Sequence, residues 1–211
     1  MEHFITSIHI NEVRHLKNIE IKLNSEERKH LILTGKNGSG KTSVLKAIKG
    51  YLASLNEGNF NHLKNDYPSW ITMYQKILAD AKTEEKIFQA KKDLERTTTQ
   101  MLRYTQGAEL TFLNSGTLEE SYSTGDFVIA FFPADRLSKI RRVHGAEDVK
   151  LASRYGIDEN PAQILLKYMV HLKTQQAYAK NENDFNVEKI ISDWFARFEN
   201  ALKVLLSDNS I

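Results

Sequence analysis

Apolar and polar side chains alternate in two segments near the N-terminus, residues 4–10 and 19–23. This pattern is typical of strands with one buried face, and we expect the two segments to pair as a hairpin through a turn within residues 11–18. A continuous apolar run follows at residues 30–34. Such a run is typical of a strand that is buried on both faces of a parallel sheet.

Helical spacing replaces this pattern further along the chain. Apolar residues recur every three or four positions over residues 44–55, and Gly58 with the asparagines around it ends the helix. Residues 69–104 also show helical spacing, which predicts a helical insert over about residues 66–106. A hairpin that leaves the domain and a helix pair on its surface both fit this pattern.

The second half of the chain is predicted to hold strands first and helices afterwards. Residues 109–114 and 120–124 indicate a second β-hairpin, and the apolar run of residues 127–132 indicates another buried strand that Pro133 ends. An Asn-Pro pair then begins helices that we expect over about residues 161–206.

Composition narrows the class of protein. The 211 residues, 41% hydrophobic and 27% charged, suffice for one globular domain or for one domain with an inserted subdomain. The net charge of +2 excludes a global basic field, so a nucleic-acid partner would need a local patch. No cysteine, no signal peptide and no apolar run of about 20 residues is present, and we expect a cytoplasmic protein without disulfides.

The chemistry of the chain centres on the loop between the third predicted strand and the helix after it. The loop matches the phosphate-binding (Walker A) pattern at every fixed position, with the sequence Gly35-Lys36-Asn37-Gly38-Ser39-Gly40-Lys41-Thr42. Glycines allow the backbone amides to approach an anion closely, and the helix N-terminus adds partial positive charge. The chain is therefore predicted to bind a nucleoside triphosphate, namely ATP with Mg²⁺.

The motif also predicts individual roles. Lys41 is expected to reach the β- and γ-phosphates as a point charge, and Thr42 to offer its hydroxyl to Mg²⁺. Ser43 can donate to the α-phosphate. We take Lys41 and Thr42 as the catalytic candidates, and residues 35–43 as the nucleotide-binding segment.

Hydrolysis of ATP requires a second acidic residue at Mg²⁺ and a group that orients the attacking water. After the predicted strand of residues 127–132, the first acidic residue is Asp135, which is followed by Arg136. Asp135 is a candidate for contacting the metal through water. Because it stands two residues beyond the strand, a turn aspartate paired with Arg136 is the favoured alternative. The chain thus carries half an ATPase site.

The N-terminal segments and the P-loop together resemble ABC-class ATPases of the RecF and SMC type, which include many bacterial "AAA family" ATPases of repair and anti-phage systems. The resemblance lies in residues 4–16, in residues 19–21 and in the P-loop. In that group a hairpin with an apolar residue followed by Arg or Lys precedes the P-loop, and Val13-Arg14 takes this place. The resemblance implies that Arg14 lies near the nucleotide; a surface arginine in a turn is the alternative.

The resemblance implies an α/β fold: a P-loop NTPase lobe with a mixed sheet, N-terminal antiparallel hairpin strands, a helical insert and C-terminal helices. Where the family has a glutamine that senses Mg²⁺, residues 133–136 read Pro-Ala-Asp-Arg. The family's signature serine motif, its strand ending in Asp-Glu and its switch histidine are not found in the sequence. We therefore expect residues 1–211 to form one nucleotide-binding lobe, the N-terminal fragment of a longer ATPase, with completion by another chain as the alternative.

The implied function is that of an ATP-binding lobe, which contributes Walker A to a composite hydrolysis site in DNA repair or anti-phage defence. It hydrolyses ATP only when a second lobe completes it. The expected partners are its own C-terminal lobe or a second subunit, in an ATP-dependent dimer, with DNA or RNA as a candidate. The alternatives are a small stand-alone phosphotransferase of the nucleotide-kinase type, and a non-catalytic interaction module tuned by ATP.

A basic stretch between residues 136 and 154 bears on these alternatives. It could be a nucleic-acid patch or an arginine-rich lid over the phosphates of a kinase. Because acidic residues at 147, 148 and 158 dilute its charge, a solvated loop is the favoured interpretation.

Overall fold

A computed structural model describes the chain at residues 2–132, 145, 147–152, 155–156, 159 and 161–207, with the side chains of residues 161–163 left out. The chain forms two compact units, Met1–Phe131 and Phe132–Ile211. The expectation that residues 1–211 form a single lobe stays a prediction.

The first unit is built on an antiparallel sheet in the order β2-β1-β3, with β1 at Ile5–Val13, β2 at Leu16–Lys22 and β3 at Ala108–Phe112. Ile8 stands opposite Ile21 on β2 and opposite Leu110 on β3. The predicted N-terminal hairpin and the α/β fold class are confirmed. The hairpin turn is tighter than expected, because only residues 14 and 15 separate the two strands.

Helices surround this sheet. Helix α1 spans Lys41–Asn56, and a short π-helix at His62–Asp66 leads into α2 at Tyr67–Asp80. Helix α3 spans Glu84–Thr105, packs against α2 and also against α1, and buries Thr97 and Tyr104. The helical insert is thus a hairpin that lies on the core of the P-loop unit, with α2 on its outer side.

The core of this unit lies between the sheet and α1. Leu55 of α1 is 1% exposed, and Phe60 makes edge-to-face contacts with Phe112 at 5.9 Å and with Tyr51 at 6.3 Å between ring centroids. The helical spacing of residues 44–55 predicts most of this buried face, because one stripe of an amphipathic helix must cover the sheet. Leu45, which belongs to the predicted stripe, is 47% exposed.

The second predicted β-hairpin is wrong in its second half. β3 forms as expected, but a short 3₁₀ turn at Ser115–Thr117 and helix α4 at Leu118–Thr124 follow it. Leu118 and Tyr122 are 0% and 4% exposed. Their spacing of four places both side chains on one helical face, and it would place them on one face of a strand as well, so this pair alone does not distinguish the two.

The two predicted buried strands at residues 30–34 and 127–132 lie outside any strand. Ile32, Val128 and Phe132 are 79%, 77% and 80% exposed, while Leu33, Phe127 and Ile129 pack against the core. An apolar run becomes a central strand only when neighbouring strands accept its backbone hydrogen bonds. Within residues 2–132, the strands of the sheet pair with one another and leave these runs without such neighbours.

The second unit contains α5 at Pro161–Asn181 and α6 at Phe185–Leu206, which pack against each other. The Trp194 ring stacks on Phe198 at 5.4 Å and meets Tyr168 edge-on at 5.6 Å. The predicted cap residue at 160 lies outside the described residues. At the start of α6, the Asp184 side chain accepts a hydrogen bond from the Val187 amide at 3.1 Å.

Candidate nucleotide-binding site

Backbone geometry and close packing together require glycine at two positions of the P-loop. Gly35 and Gly40 have φ values of +145° and +93°, a region that side chains with a Cβ rarely adopt. A Cβ on Gly35 would come within 2.8 Å of the Ser39 hydroxyl oxygen, and one on Gly40 within 3.1 Å of the Leu16 Cδ1 atom. The loop therefore folds tightly and packs against the β1–β2 hairpin.

Helix α1 presents its N-terminus at the end of this loop. The Val44 amide donates to the Gly40 carbonyl at 2.9 Å, which is the first hydrogen bond of the helix. The amides of residues 41–43 precede it and have no acceptor within the helix. The first turn carries no acidic residue, so nothing in it offsets the partial positive charge. An anion would be stabilised here.

The Lys41 ammonium lies over the loop. It donates to the Gly35 carbonyl at 2.7 Å, to the Lys36 carbonyl at 2.9 Å and to the Ser39 hydroxyl at 3.4 Å. A positive charge is thereby held beside the free amides of α1. Thr42 on the first turn is exposed, so its hydroxyl is accessible to a ligand.

The β1–β2 turn adjoins the loop at Gly40. Leu16 makes the close approach described above, and the His15 Cε1 atom lies 3.8 Å from the same Cβ position. Arg14 stands at the tip of the turn, exposed, with φ of +57°. The structure thus brings the turn that carries Arg14 together with the P-loop. Arg14, which the resemblance places near the nucleotide, shares this two-residue turn with His15.

Several candidates lie outside the described residues. These include Asp135 and Arg136, and with them every other basic residue of the stretch up to residue 154 except Lys150, so their roles stay predictions. In the described part of the chain, no group of three or more His, Asp or Glu side chains is placed to hold a metal ion. Nor does that part contain a helix long and apolar enough to cross a membrane.

Comparison with known families identifies the family of the unit that carries the P-loop. The family model described as "ABC transporter" matches residues 16–126, more than half of the chain. The chain belongs to this family. The ABC match covers β2, the P-loop, α1, the helical insert and β3. It supports a P-loop ATPase domain that binds ATP. No curated protein and no solved structure matches the chain.

Proposed function

We propose that this ABC-class chain is the ATP-binding N-terminal lobe of a RecF/SMC-like ATPase, acting in DNA repair or anti-phage defence. In this proposal it contributes its P-loop to a composite site that hydrolyses ATP. The observation that carries the proposal is the Lys41 ammonium held beside the free amides of α1. The RecF/SMC-like type is supported by the hairpin whose turn, with Arg14, packs on the P-loop.

The loop residues are suited to the roles that we propose. The amides around residues 38–43 would surround the phosphate oxygens, with Lys41 at the β- and γ-phosphates and Ser43 near the α-phosphate. Arg14 would add charge from the hairpin side. The hydrogen-bond donors for these contacts are the backbone amides of the loop and of the first turn of α1, which have no acceptor within the helix.

Magnesium fits the same site. Mg²⁺ prefers oxygen ligands, and in nucleotide sites it is held by one or two protein ligands together with phosphate oxygens and waters. The exposed hydroxyl of Thr42 on the first turn of α1 is such a ligand. Asp135 stays the candidate for a second contact. Mg²⁺ would neutralise charge that develops on the phosphates during hydrolysis.

Completion by a second lobe is supported by the two apolar runs that lie outside the sheet. They flank a groove of about 750 Å³, lined by apolar side chains from β1 and α1 such as Ile8, Leu45 and Ile48. Exposed apolar runs in a nucleotide-binding domain favour cover by a further protein surface. The partner is the ATPase's own C-terminal lobe or a second subunit, in an ATP-dependent dimer and a cytoplasmic setting.

The direct test of the P-loop assignment is Lys41→Ala. We expect affinity for Mg²⁺-ATP to fall by about 100-fold or more, because the variant loses the charge that faces the phosphates. Isothermal titration calorimetry measures the change. Lys46→Ala is the matched control, since Lys46 is exposed on the same helix beyond the first turn. Equal affinity of the Lys41 variant and the unmodified chain would refute the site.

A further inference from the structure

His15 occupies the second position of the β1–β2 turn, beside the P-loop. Its Cε1 atom lies 3.8 Å from the position of a Cβ on Gly40, and Gly40 is itself buried. The imidazole is exposed, and no described residue forms a hydrogen bond or ion pair with either ring nitrogen. The ring is therefore close to the nucleotide site with both nitrogens available.

Basic residues lie on the turn that carries His15 and on the P-loop that this turn adjoins. Arg14 precedes His15 on the turn, and Lys36 and Lys41 lie on the P-loop beside the N-terminus of α1. On the hairpin, Glu12 is paired with Lys17 at 2.6 Å and so does not offset this charge. A triphosphate with several negative charges would favour a protonated imidazole beside it.

We propose that His15 is a further nucleotide contact, which donates a hydrogen bond from its protonated imidazole to the phosphate chain on the Gly40 side of the loop. This inference rests on the proposed function, because it requires a triphosphate in the P-loop. His15 contributes binding energy and takes up a proton as the nucleotide binds, while Lys41 and Arg14 remain charged throughout.

The direction of the pH dependence follows from this proton uptake. The contribution of His15 to affinity is largest at acidic pH, where the imidazole in the complex carries its proton, and is lost as rising pH removes that proton.

The test compares His15→Gln with the unmodified chain in Mg²⁺-ATP titrations between about pH 6 and pH 8, on either side of an ordinary histidine pKa. We expect the variant to bind about tenfold more weakly at the acidic end and nearly as tightly at the alkaline end. Calorimetry in two buffers of different ionisation enthalpy should show proton uptake on binding that the variant lacks. Comparing the two proteins also cancels the titration of ATP itself.

His9→Gln is the matched control. His9 lies on β1 of the same hairpin, opposite Glu20 and Glu109, away from the turn. We expect this variant to keep the pH profile and the proton uptake of the unmodified chain. Thermal melting of each variant would establish that its fold is retained.

Two results would overturn the proposal: an unchanged pH profile in His15→Gln, or a loss of affinity that is the same at every pH. The second result would give His15 a merely structural role. A failure of the proposed function is distinguishable, because Lys41→Ala would then bind ATP as well as the unmodified chain does.

Discussion

At the scale of single residues, Gly40 links the P-loop to the β1–β2 hairpin. Its backbone adopts a φ of +93°, and its missing side chain leaves the space that Leu16 approaches. Gly38 has a similar φ of +83°, but nothing lies within 4 Å of the Cβ that it lacks. At Gly38 only the backbone conformation favours glycine, whereas at Gly40 both the backbone conformation and the packing against Leu16 do.

Replacing each glycine by alanine would measure these requirements. Both variants should lose about 1 kcal/mol of folding free energy from the left-handed backbone. Gly40→Ala should lose more, together with ATP affinity, because its Cβ would displace Leu16 and the turn. Chemical denaturation would measure the loss of folding free energy in each variant, and ATP titration would measure the loss of affinity. The additional loss in Gly40→Ala should be smaller when Leu16→Ala is present in the same chain, because the Leu16 side chain no longer meets the new Cβ. Equal losses in both single variants would contradict the packing argument.

Two buried tyrosines make stability depend on alkaline pH. Burial is the main cause that raises the pKa of Tyr51 to about 12, and the charge of Glu109 adds to it. Burial likewise raises the pKa of Tyr104 to about 12, assisted by the hydrogen bond that its hydroxyl donates to the Glu57 carboxylate at 2.6 Å. The folded chain thus keeps these protons at a pH where the unfolded chain loses them.

Stability should therefore fall as pH rises from about 10, the ordinary tyrosine pKa, towards about 12. Tyr104→Phe should show a shallower fall over this window, because one of the two protons no longer contributes. Urea denaturation at several alkaline pH values would measure the slope. Tyr178→Phe, at a position that is 65% exposed, is the control and should keep the original slope. A Tyr104 variant with that same slope would contradict the assignment.

At the scale of elements, the helices were more predictable than the strands. A helix closes its hydrogen bonds within itself, so the local spacing of apolar residues suffices to indicate α1 or α6. A strand depends on partners that are distant in sequence. The apolar runs at 30–34 and 127–132 therefore predicted strands that the structure does not contain. Helix α4 was missed because its buried residues, Leu118 and Tyr122, stand four positions apart, a spacing that fits one face of a strand as well as one face of a helix.

The start of α6 depends on one side chain. Asp184 accepts a hydrogen bond from the Val187 amide, one of the helix's first amides, which have no acceptor within the helix. We expect Asp184→Ala to lower the free energy of unfolding by about 0.5–2 kcal/mol, and Asp184→Asn to restore most of it, because asparagine also offers a carbonyl oxygen. Denaturation followed by helical circular dichroism would measure both. Equal losses in the two variants would indicate that charge, rather than the cap, is responsible.

At the scale of the whole molecule, the ABC match and the nucleotide site both lie within Met1–Phe131. The chain presents phosphate-binding donors and the Thr42 hydroxyl, but hydrolysis also needs a carboxylate at Mg²⁺ and a group that orients water. Under the proposed function, a second lobe supplies the group that orients water, and Asp135 is the candidate in this chain for the carboxylate.

We therefore expect the purified chain to bind ATP without sustained hydrolysis. Release of phosphate and of ADP would measure turnover, with Lys41→Ala as the blank. Adding nucleoside monophosphates distinguishes the alternative of a stand-alone phosphotransferase. Robust transfer of a phosphoryl group to them would contradict the proposed lobe of a composite ATPase.

The sequence by itself determined the nucleotide-binding loop, because glycines, lysine and threonine at fixed spacing before a helix are a local requirement of phosphate binding. It also determined the N-terminal hairpin, whose strands are adjacent along the chain. Only the tertiary structure decided that His15 and Leu16 meet Gly40, that α3 lies on α1 and that Ile32 and Val128 are exposed. These features depend on contacts between segments far apart along the chain, which no local pattern of residues specifies.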